Sequence, residues 1–243
     1  MALQTGSNLQ NHPVVSREEW LSARKTLLER EKEFSRARDD LSRARRELPW
    51  VRVEKPYVFE GPGEPATLAQ LFEDKSQLLV YHFMFHPDWK EGCPHCSFWA
   101  DHFDPTRVHL RHRDTTLAVV SRAPLEKIQP FRKRMGWQFP WYSSFRNDFN
   151  RDFHVSFTAE DVQRGDAVYN YAPHRGGPTE REGLSVFYRD PSGSVFHTYS
   201  CFARGIDLLN GTYNFLDLVP KGRDEDGFKM PQEWVRYHDR YEG

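Results

Sequence analysis

The fold of this chain is decided by the stretch Glu91-Gly92-Cys93-Pro94-His95-Cys96, in which two cysteines stand two residues apart. An apolar run comes before it and predicts a buried strand over residues 77–85. The segment after it, residues 97–103, can form a helix. A strand, a short loop, a Cys-x-x-Cys pair and a helix, in this order, are typical of a redox-active dithiol site.

The two cysteines are the candidate catalytic residues. The N-terminus of a helix carries free N–H groups and partial positive charge, and both stabilise a thiolate on Cys93. Pro94 suits the first helical turn because its missing N–H would have no partner there. His95 can add positive charge beside the sulfur. We therefore expect Cys93 to attack a disulfide and Cys96 to resolve it, with Pro94 and His95 tuning the pair.

The composition excludes several classes of protein. The 243 residues have a formal net charge of −1, which gives no general attraction to nucleic acid or to an anionic membrane. Three cysteines are too few for a secreted disulfide framework. No apolar run reaches transmembrane length, and residues 1–13 lack the apolar core of a signal peptide. We expect a cytoplasmic protein that needs no bound cofactor or metal.

The order of the patterns predicts an α/β domain, a mixed sheet flanked by helices as in the thioredoxin fold. Residues 115–121 are typical of a second buried strand, and residues 184–188 and 194–199 predict a hairpin. A helix is predicted to begin at Pro124, and a final one to cover residues 206–218. The expected parts are a disordered N-terminus (1–13), a long helix (14–49), the domain (50–220) with an insertion around 142–183, and a C-terminal extension (221–243).

The long N-terminal helix begins with a capping box formed by Ser16 and Glu19. Its apolar residues recur at every seventh position and make one narrow stripe on a densely charged helix. These residues are Trp20, Leu27, Phe34, Leu41 and Leu48. Two interpretations are open: the stripe lies on the chain's own domain, or it pairs with a second subunit as a dimerisation arm.

Several strings carry a resemblance that runs from about His12 to Tyr241. They include Tyr81-His82-Phe83-Met84-Phe85, Gly92-Cys93-Pro94-His95-Cys96-Ser97-Phe98, Val120-Ser121-Arg122-Ala123-Pro124 and Gly222-Arg223-Asp224-Glu225-Asp226-Gly227. In these strings the chain resembles an uncharacterised bacterial family of predicted dithiol–disulfide oxidoreductases, domain of unknown function 899. Val120-Ser121, a helix and then Phe139-Pro140 resemble the peroxiredoxin-like branch of thioredoxin folds.

The resemblance implies exchange of dithiol and disulfide with a protein or a small thiol partner. The Pro94-His95 dipeptide matches that of a periplasmic disulfide-forming oxidoreductase, which implies a comparatively oxidising pair. Thioredoxins carry a cis-proline just before the strand that corresponds to residues 184–188. Here Glu182-Gly183 stands in that place, so we expect substrate docking beside the site to differ.

A peroxidase of peroxiredoxin type is an alternative enzyme. Its Pro-x-x-x-Thr-x-x-Cys motif, placed on Cys96, would require proline at Trp89 and threonine at Cys93, and neither is present. Arg181 or Arg189 would be the arginine that stabilises the thiolate.

Two alternatives are not enzymes. Cys93, Cys96, His197 and Cys201 have spacings that could supply a zinc site. A non-catalytic interaction module would keep the fold and use the N-terminal helix as its contact surface. Cys201 by itself is expected to be a core residue. Under the enzyme hypothesis, His86 and Asp88 beside the loop are further candidates to tune Cys93.

Overall fold

The computed structural model describes residues 12–242. Within them the helices are α1 (Arg17–Arg46), α2 (Pro94–Ala100), α3 (Phe103–Arg111), α4 (Leu125–Arg134), α5 (Phe149–Asp152), α6 (Ala159–Arg164) and α7 (Gly211–Leu216). The strands are β1 (Val51–Arg52), β2 (Val58–Phe59), β3 (Ala66–Thr67), β4 (Gln77–His82), β5 (Thr115–Ser121), β6 (Trp141–Ser143), β7 (Val168–Tyr169), β8 (Ala172–Pro173), β9 (Gly183–Arg189) and β10 (Val195–Phe202).

The centre of the molecule is a six-stranded mixed sheet in the order β1-β10-β9-β4-β5-β6. Strand β4 is parallel to β5, and β5 is parallel to β6. Strand β9 is antiparallel to β4 and to β10, its hairpin partner. A β-α-β crossover followed by an antiparallel hairpin on the other side of the first strand is the topology of the thioredoxin fold. The predicted fold class, with its flanking helices and long N-terminal helix, is confirmed.

Two apolar layers cover the faces of the sheet, because neighbouring residues of a strand point to opposite sides. Tyr81 packs in the layer that also contains both cysteines of the Cys-x-x-Cys pair. Leu78 and Val80 pack in the opposite layer. Strand β4 is therefore buried on both faces, which explains its almost continuous apolar sequence. His82 is fully buried, and its Nε2 lies 2.8 Å from the Ser185 hydroxyl.

Helix α1 begins as predicted. The Glu19 N–H donates to the Ser16 hydroxyl at 3.2 Å, and the Ser16 N–H donates to the Glu19 carboxylate at 2.9 Å. None of the 30 residues of α1 is buried. The apolar stripe is exposed along its whole length, with Phe34 the most exposed at 71%. The interpretation that the chain's own domain covers the stripe is therefore wrong.

The predicted final helix over residues 206–218 is corrected by the structure. Residues Ala203–Leu209 form a 3-10 helix, and α7 starts only at Gly211. The two are separated at Asn210, whose side-chain oxygen accepts from the Tyr213 N–H at 3.0 Å. A capping side chain satisfies the first free N–H groups of a new helix, so the chain restarts there instead of continuing one helix.

Other expectations are tested only in part. The strand predicted over 77–85 ends at His82. Residues 1–11 of the predicted disordered N-terminus lie outside the described residues, and the division into parts stays a prediction. Within residues 12–242, no helix combines the length and the apolar content needed to cross a bilayer.

Candidate active site

Strand β4 leads into the cysteine loop. Its pairing with β5 continues for one residue beyond the end of β4, at Phe83. The Phe83 N–H donates to the Val120 carbonyl at 3.0 Å, and the Ser121 hydroxyl donates to the Phe83 carbonyl at 2.7 Å. The next residue, Met84, turns toward the cysteines. Its carbonyl accepts from the Cys93 N–H at 3.0 Å, and its N–H donates to the Cys96 sulfur at 3.4 Å. The backbone of Met84 thus contacts both cysteines of the pair.

Gly92 lies where the loop passes closest to the core. A Cβ at this position would come within 2.7 Å of the Phe83 ring and 2.8 Å of the Phe131 ring. Its carbonyl accepts from the Tyr237 hydroxyl at 2.6 Å. The loop can therefore pass between two aromatic rings only with a glycine here, and the C-terminal segment fixes it from the other side.

Helix α2 starts at the first cysteine. Cys93 is the N-cap residue and Pro94 occupies the first turn, as its sequence position predicts. The N–H and the hydroxyl of Ser97 both donate to the Cys93 carbonyl, at 3.0 and 2.9 Å. The helix therefore begins at Cys93, as expected, and includes the whole Pro-His-Cys sequence, but it ends at Ala100 and does not continue to residue 103.

The surroundings of Cys93 favour its thiolate. A hydrogen bond from the Cys96 thiol lowers the pKa of Cys93 most strongly, and burial of the sulfur opposes this shift. A hydrogen bond from His95, the Cys96 N–H and the charge of the imidazole lower the pKa further. The net result is a pKa well below that of an ordinary thiol. Cys93 is buried, with 8% of the residue exposed, and it lines a cavity next to the loop.

The pKa values of Cys96 and His95 shift upward, opposite to the shift of Cys93. Burial raises the pKa of Cys96 well above its usual value, and the hydrogen bond to Cys93 raises it further. Cys96 is 2% exposed. The hydrogen bond with Cys93 raises the pKa of His95, against the effect of burial. These shifts favour a thiolate at Cys93, a positively charged ring at His95 and a protonated thiol at Cys96.

A cavity of about 830 Å³ is lined by both cysteines of the pair. The cavity is lined by the cysteine loop, by the residues just before β9 and by the segment 221–232, which forms a wall of the cavity. Trp99 lines it and donates its indole N–H to the Ile206 carbonyl at 2.9 Å. A space of this size holds a small molecule or a peptide segment.

The sequence analysis assigned no chemical role to two residues of the site. Glu182 immediately precedes β9 and lines the cavity, and its charge contributes to the raised pKa values of Cys96 and His95. The Tyr169 hydroxyl is 3.0 Å from the Glu182 carboxylate and holds it in place. Tyr81 lies on the same face of the sheet, and burial next to Cys96 raises its pKa. The signal for Glu182 was its position, where thioredoxins carry their cis-proline.

The other candidates fall into two groups. Arg181 lines the cavity, with its guanidinium 4.4 Å from the centre of the Tyr169 ring. Arg189 is not at the site, because it donates to the carbonyls of Ala69 and Lys75. His86 and Asp88 form a pair 3.6 Å apart and do not line the cavity. The structure does not bring them to Cys93.

The zinc alternative fails on geometry. His197 and Cys201 line a different cavity from the one that contains Cys93 and Cys96. Among residues 12–242, no group of three or more His, Cys, Asp and Glu side chains could hold a metal ion. Cys201 is buried, which raises the pKa of its thiol. It is a core residue of β10, as expected.

The sequence of the chain matches a known family over nearly all of its length. The family described as "Bacterial protein of unknown function (DUF899)" matches residues 9–241. The chain belongs to this family. Its description assigns no activity to its members. No curated protein matches the chain.

Solved structures with a similar chain course include peroxidoxin BcpB from Mycobacterium tuberculosis, with 13% identity, a TM-score of 0.46, and 68% of this chain and 95% of that chain covered. A peroxiredoxin Q variant from Xanthomonas campestris has 17% identity, a TM-score of 0.43, and coverages of 70% and 96%. The protein described as thiol:disulfide interchange protein DsbE from Chlorobium tepidum has 11% identity, a TM-score of 0.42, and coverages of 72% and 100%. These values transfer no activity to a DUF899 protein.

Proposed function

We propose that this DUF899 protein is a thiol–disulfide oxidoreductase whose reacting groups are Cys93 and Cys96. The observation that supports this is the opposite direction of the two pKa shifts in one hydrogen-bonded pair. A thiol of lowered pKa and a thiol of raised pKa that line the same cavity are the starting state needed for stepwise disulfide exchange.

The exchange reaction balances without a bound cofactor. The Cys93 thiolate attacks one sulfur of a substrate disulfide, whose S–S bond breaks and releases a thiolate that takes up a proton. Cys96 then loses its proton and attacks the Cys93 sulfur, which releases the second substrate thiolate. The substrate is reduced by two electrons, and the protein gains a Cys93–Cys96 disulfide. An external dithiol resets the pair, or the same steps run in reverse to oxidise a substrate.

Two groups are placed to assist the proton transfers. His95, which is hydrogen-bonded to Cys93, can protonate the leaving thiolate at the mouth of the site. Glu182 carries a carboxylate in the same cavity as Cys96 and can accept its proton during resolution. Pro94 fixes the start of α2 and takes no part in proton transfer.

A trapping experiment tests the proposal. In Cys96→Ser the mixed disulfide cannot be resolved, so a model disulfide such as oxidised glutathione should remain attached to Cys93 and be found there by mass spectrometry. Cys93→Ser should trap nothing, and Cys201→Ser should behave as the wild type because Cys201 lies outside the cavity. Attachment to Cys201, or no attachment to Cys93 in Cys96→Ser, would refute the exchange reaction.

Peroxide reduction is the second candidate function, favoured by the presence of Arg181 in the same cavity as Cys93. There the Cys93 thiolate would attack one peroxide oxygen and become a sulfenic acid, while the O–O bond breaks and the other oxygen leaves as hydroxide or alkoxide and takes up a proton. The Cys96 thiol would then attack the sulfenic sulfur and lose its proton, which releases water and leaves a Cys93–Cys96 disulfide. Stopped-flow oxidation by hydrogen peroxide separates the two functions. A rate close to that of a free thiol supports disulfide exchange, whereas a much faster rate that is lost in Arg181→Ala supports the peroxidase. The cytoplasmic location stays a prediction.

A further inference from the structure

Helix α1 is a second functional feature of the molecule, independent of the cysteine pair. At 1.5 Å per residue, its 30 residues extend about 45 Å. None of them is buried against the rest of the chain. A long helix with an exposed apolar stripe is stabilised mainly by packing against a partner, because an isolated helix is marginal in water.

The spacing of the stripe identifies the kind of partner. Trp20, Leu27, Phe34, Leu41 and Leu48 follow a strict period of seven over four heptads. A helix that covers a globular core has a wider stripe with a period of 3.6, whereas a period of 3.5 is the signature of a coiled coil. We assign this row to heptad position a.

The second row of the seam falls three residues after the first, at position d. It contains Ala23, Ala37 and Ala44, with Arg30 as the one polar residue. Small side chains at d let two helices approach closely, and a single polar residue in a seam fixes register at a cost in stability. The two rows together make a narrow contact surface for one other helix.

The charges beside the seam determine which helix fits and in which direction. Positions g carry acidic residues, and positions e carry mainly basic ones. The g residues are Glu19, Glu33, Asp40 and Glu47, with Thr26 uncharged, and the e residues are Arg24, Arg38 and Arg45, with Glu31 the exception. In a parallel pair each g residue meets the e residue five positions later in the other helix. An antiparallel pair would bring acid to acid and base to base.

We propose that α1 forms a parallel two-stranded coiled coil with α1 of a second copy of this chain. The opposite charges then pair between the copies as Glu19 with Arg24, Glu33 with Arg38, and Asp40 with Arg45. The fourth pair, Thr26 with Glu31, contains a single charge. Existing pairs within α1, such as Arg24 with Glu31 at 2.8 Å, are exposed and therefore weak competitors.

Within α1, the chain's own domain leaves the seam free, whereas Leu48 lies beyond the end of the helix and lines a cavity with Tyr171 and Tyr199. Helix α1 contacts it near its C-terminal end, where the Arg45 guanidinium lies 5.6 Å from the centre of the Tyr199 ring. The residues of that part of the helix that are partly buried are Ser42 and Arg45, at positions b and e. Both lie to one side of the seam. Two copies related by a two-fold axis along the coiled coil would therefore carry their domains at the same end, on opposite sides.

The seam is tested with two neighbouring leucines. Leu27 is at position a and Leu28 at position b, and they are 47% and 38% exposed. Light scattering on the reduced wild type should give twice the 28.7 kDa mass of the chain. Leu27→Asp should give the monomer mass, whereas Leu28→Asp should remain a dimer, with circular dichroism confirming that both variants fold. A monomeric wild type, or equal dissociation of both variants, would overturn the proposal.

The direction of the pair is tested by a charge swap. Glu33→Lys introduces two repulsive pairs per parallel dimer and should weaken dimerisation by about tenfold in sedimentation equilibrium. Adding Arg38→Glu recreates opposite charges in the parallel arrangement and should restore the wild-type affinity. In an antiparallel dimer these two positions do not face each other, so failure of the double variant to recover would refute the parallel orientation.

Discussion

Replacing His95 with alanine should move the reactivity of Cys93 to higher pH. His95 is hydrogen-bonded to the Cys93 sulfur, and this contact lowers the pKa of Cys93. A hydrogen bond to a charged group contributes about 1.5–3 kcal/mol, which corresponds to a change of about ten- to a hundredfold in an ionisation equilibrium. At a pH below the pKa of Cys93, His95→Ala should therefore hold about ten to a hundred times less thiolate than the wild type.

Alkylation by iodoacetamide measures this directly. Its rate follows the thiolate fraction, and mass spectrometry assigns the modified residue to Cys93. The profile of rate against pH should shift to higher pH in His95→Ala. His86→Ala is the matched control, because His86 is near the loop but does not line the cavity. Profiles of His95→Ala and wild type that coincide, or an equal shift in His86→Ala, would refute the role assigned to His95.

Three further predictions concern the surroundings of the site. Gly92→Ala should destabilise the protein by about 1–3 kcal/mol in urea unfolding, because its Cβ would overlap two aromatic rings. Tyr237→Phe should cost about 1–2 kcal/mol in the same assay, because the buried Gly92 carbonyl loses its donor. Burial raises the pKa of Glu180 to about 7, so the folded chain keeps a proton that the unfolded chain releases near pH 4.5. The contribution of Glu180 to stability should therefore fall as pH rises from about 4.5 to about 7, with the Arg122 guanidinium at 3.4 Å opposing the shift. Relative to the wild type, Glu180→Gln should gain up to about 3 kcal/mol at pH 8.

Each of these predictions has its own control. Gly63→Ala should be neutral, because no atom lies within 4 Å of a Cβ there; equal effects at both glycines would contradict the packing argument. Unchanged stability in Tyr237→Phe would show that the hydroxyl adds nothing to the loop. Unfolding of Glu180→Gln at pH 4 should match the wild type, and a benefit of the same size at pH 4 and pH 8 would rule out ionisation as its cause.

The parts of the fold that could be predicted are those with local signals. The capping box of α1 needs two residues three positions apart, and the hairpin of β9 and β10 is marked by its turn. Strand β5 covers the residues that its β-branched run predicted. The break at Asn210 also has a local signal, because asparagine is a common N-cap residue, but the prediction joined residues 206–218 into one helix.

The parts of the site that could not be predicted depend on contacts between distant residues. Cys93, Pro94, His95 and Cys96 are adjacent, so their grouping follows from the sequence alone. Glu182 reaches the same cavity only because β9 pairs with β4, and Tyr237 reaches Gly92 across 145 positions. No periodicity or spacing encodes such a contact.

The hydrogen bond between Tyr237 and Gly92 has a consequence during protein synthesis. A ribosome makes the cysteine loop long before it makes Tyr237, since 145 positions separate the two bonded residues. Until then, the thiols of a nascent chain lack the wall that the later residues provide and are open to stray oxidants and to wrong partners. A message truncated before residue 221 would yield a chain that lacks both this wall and the tyrosine.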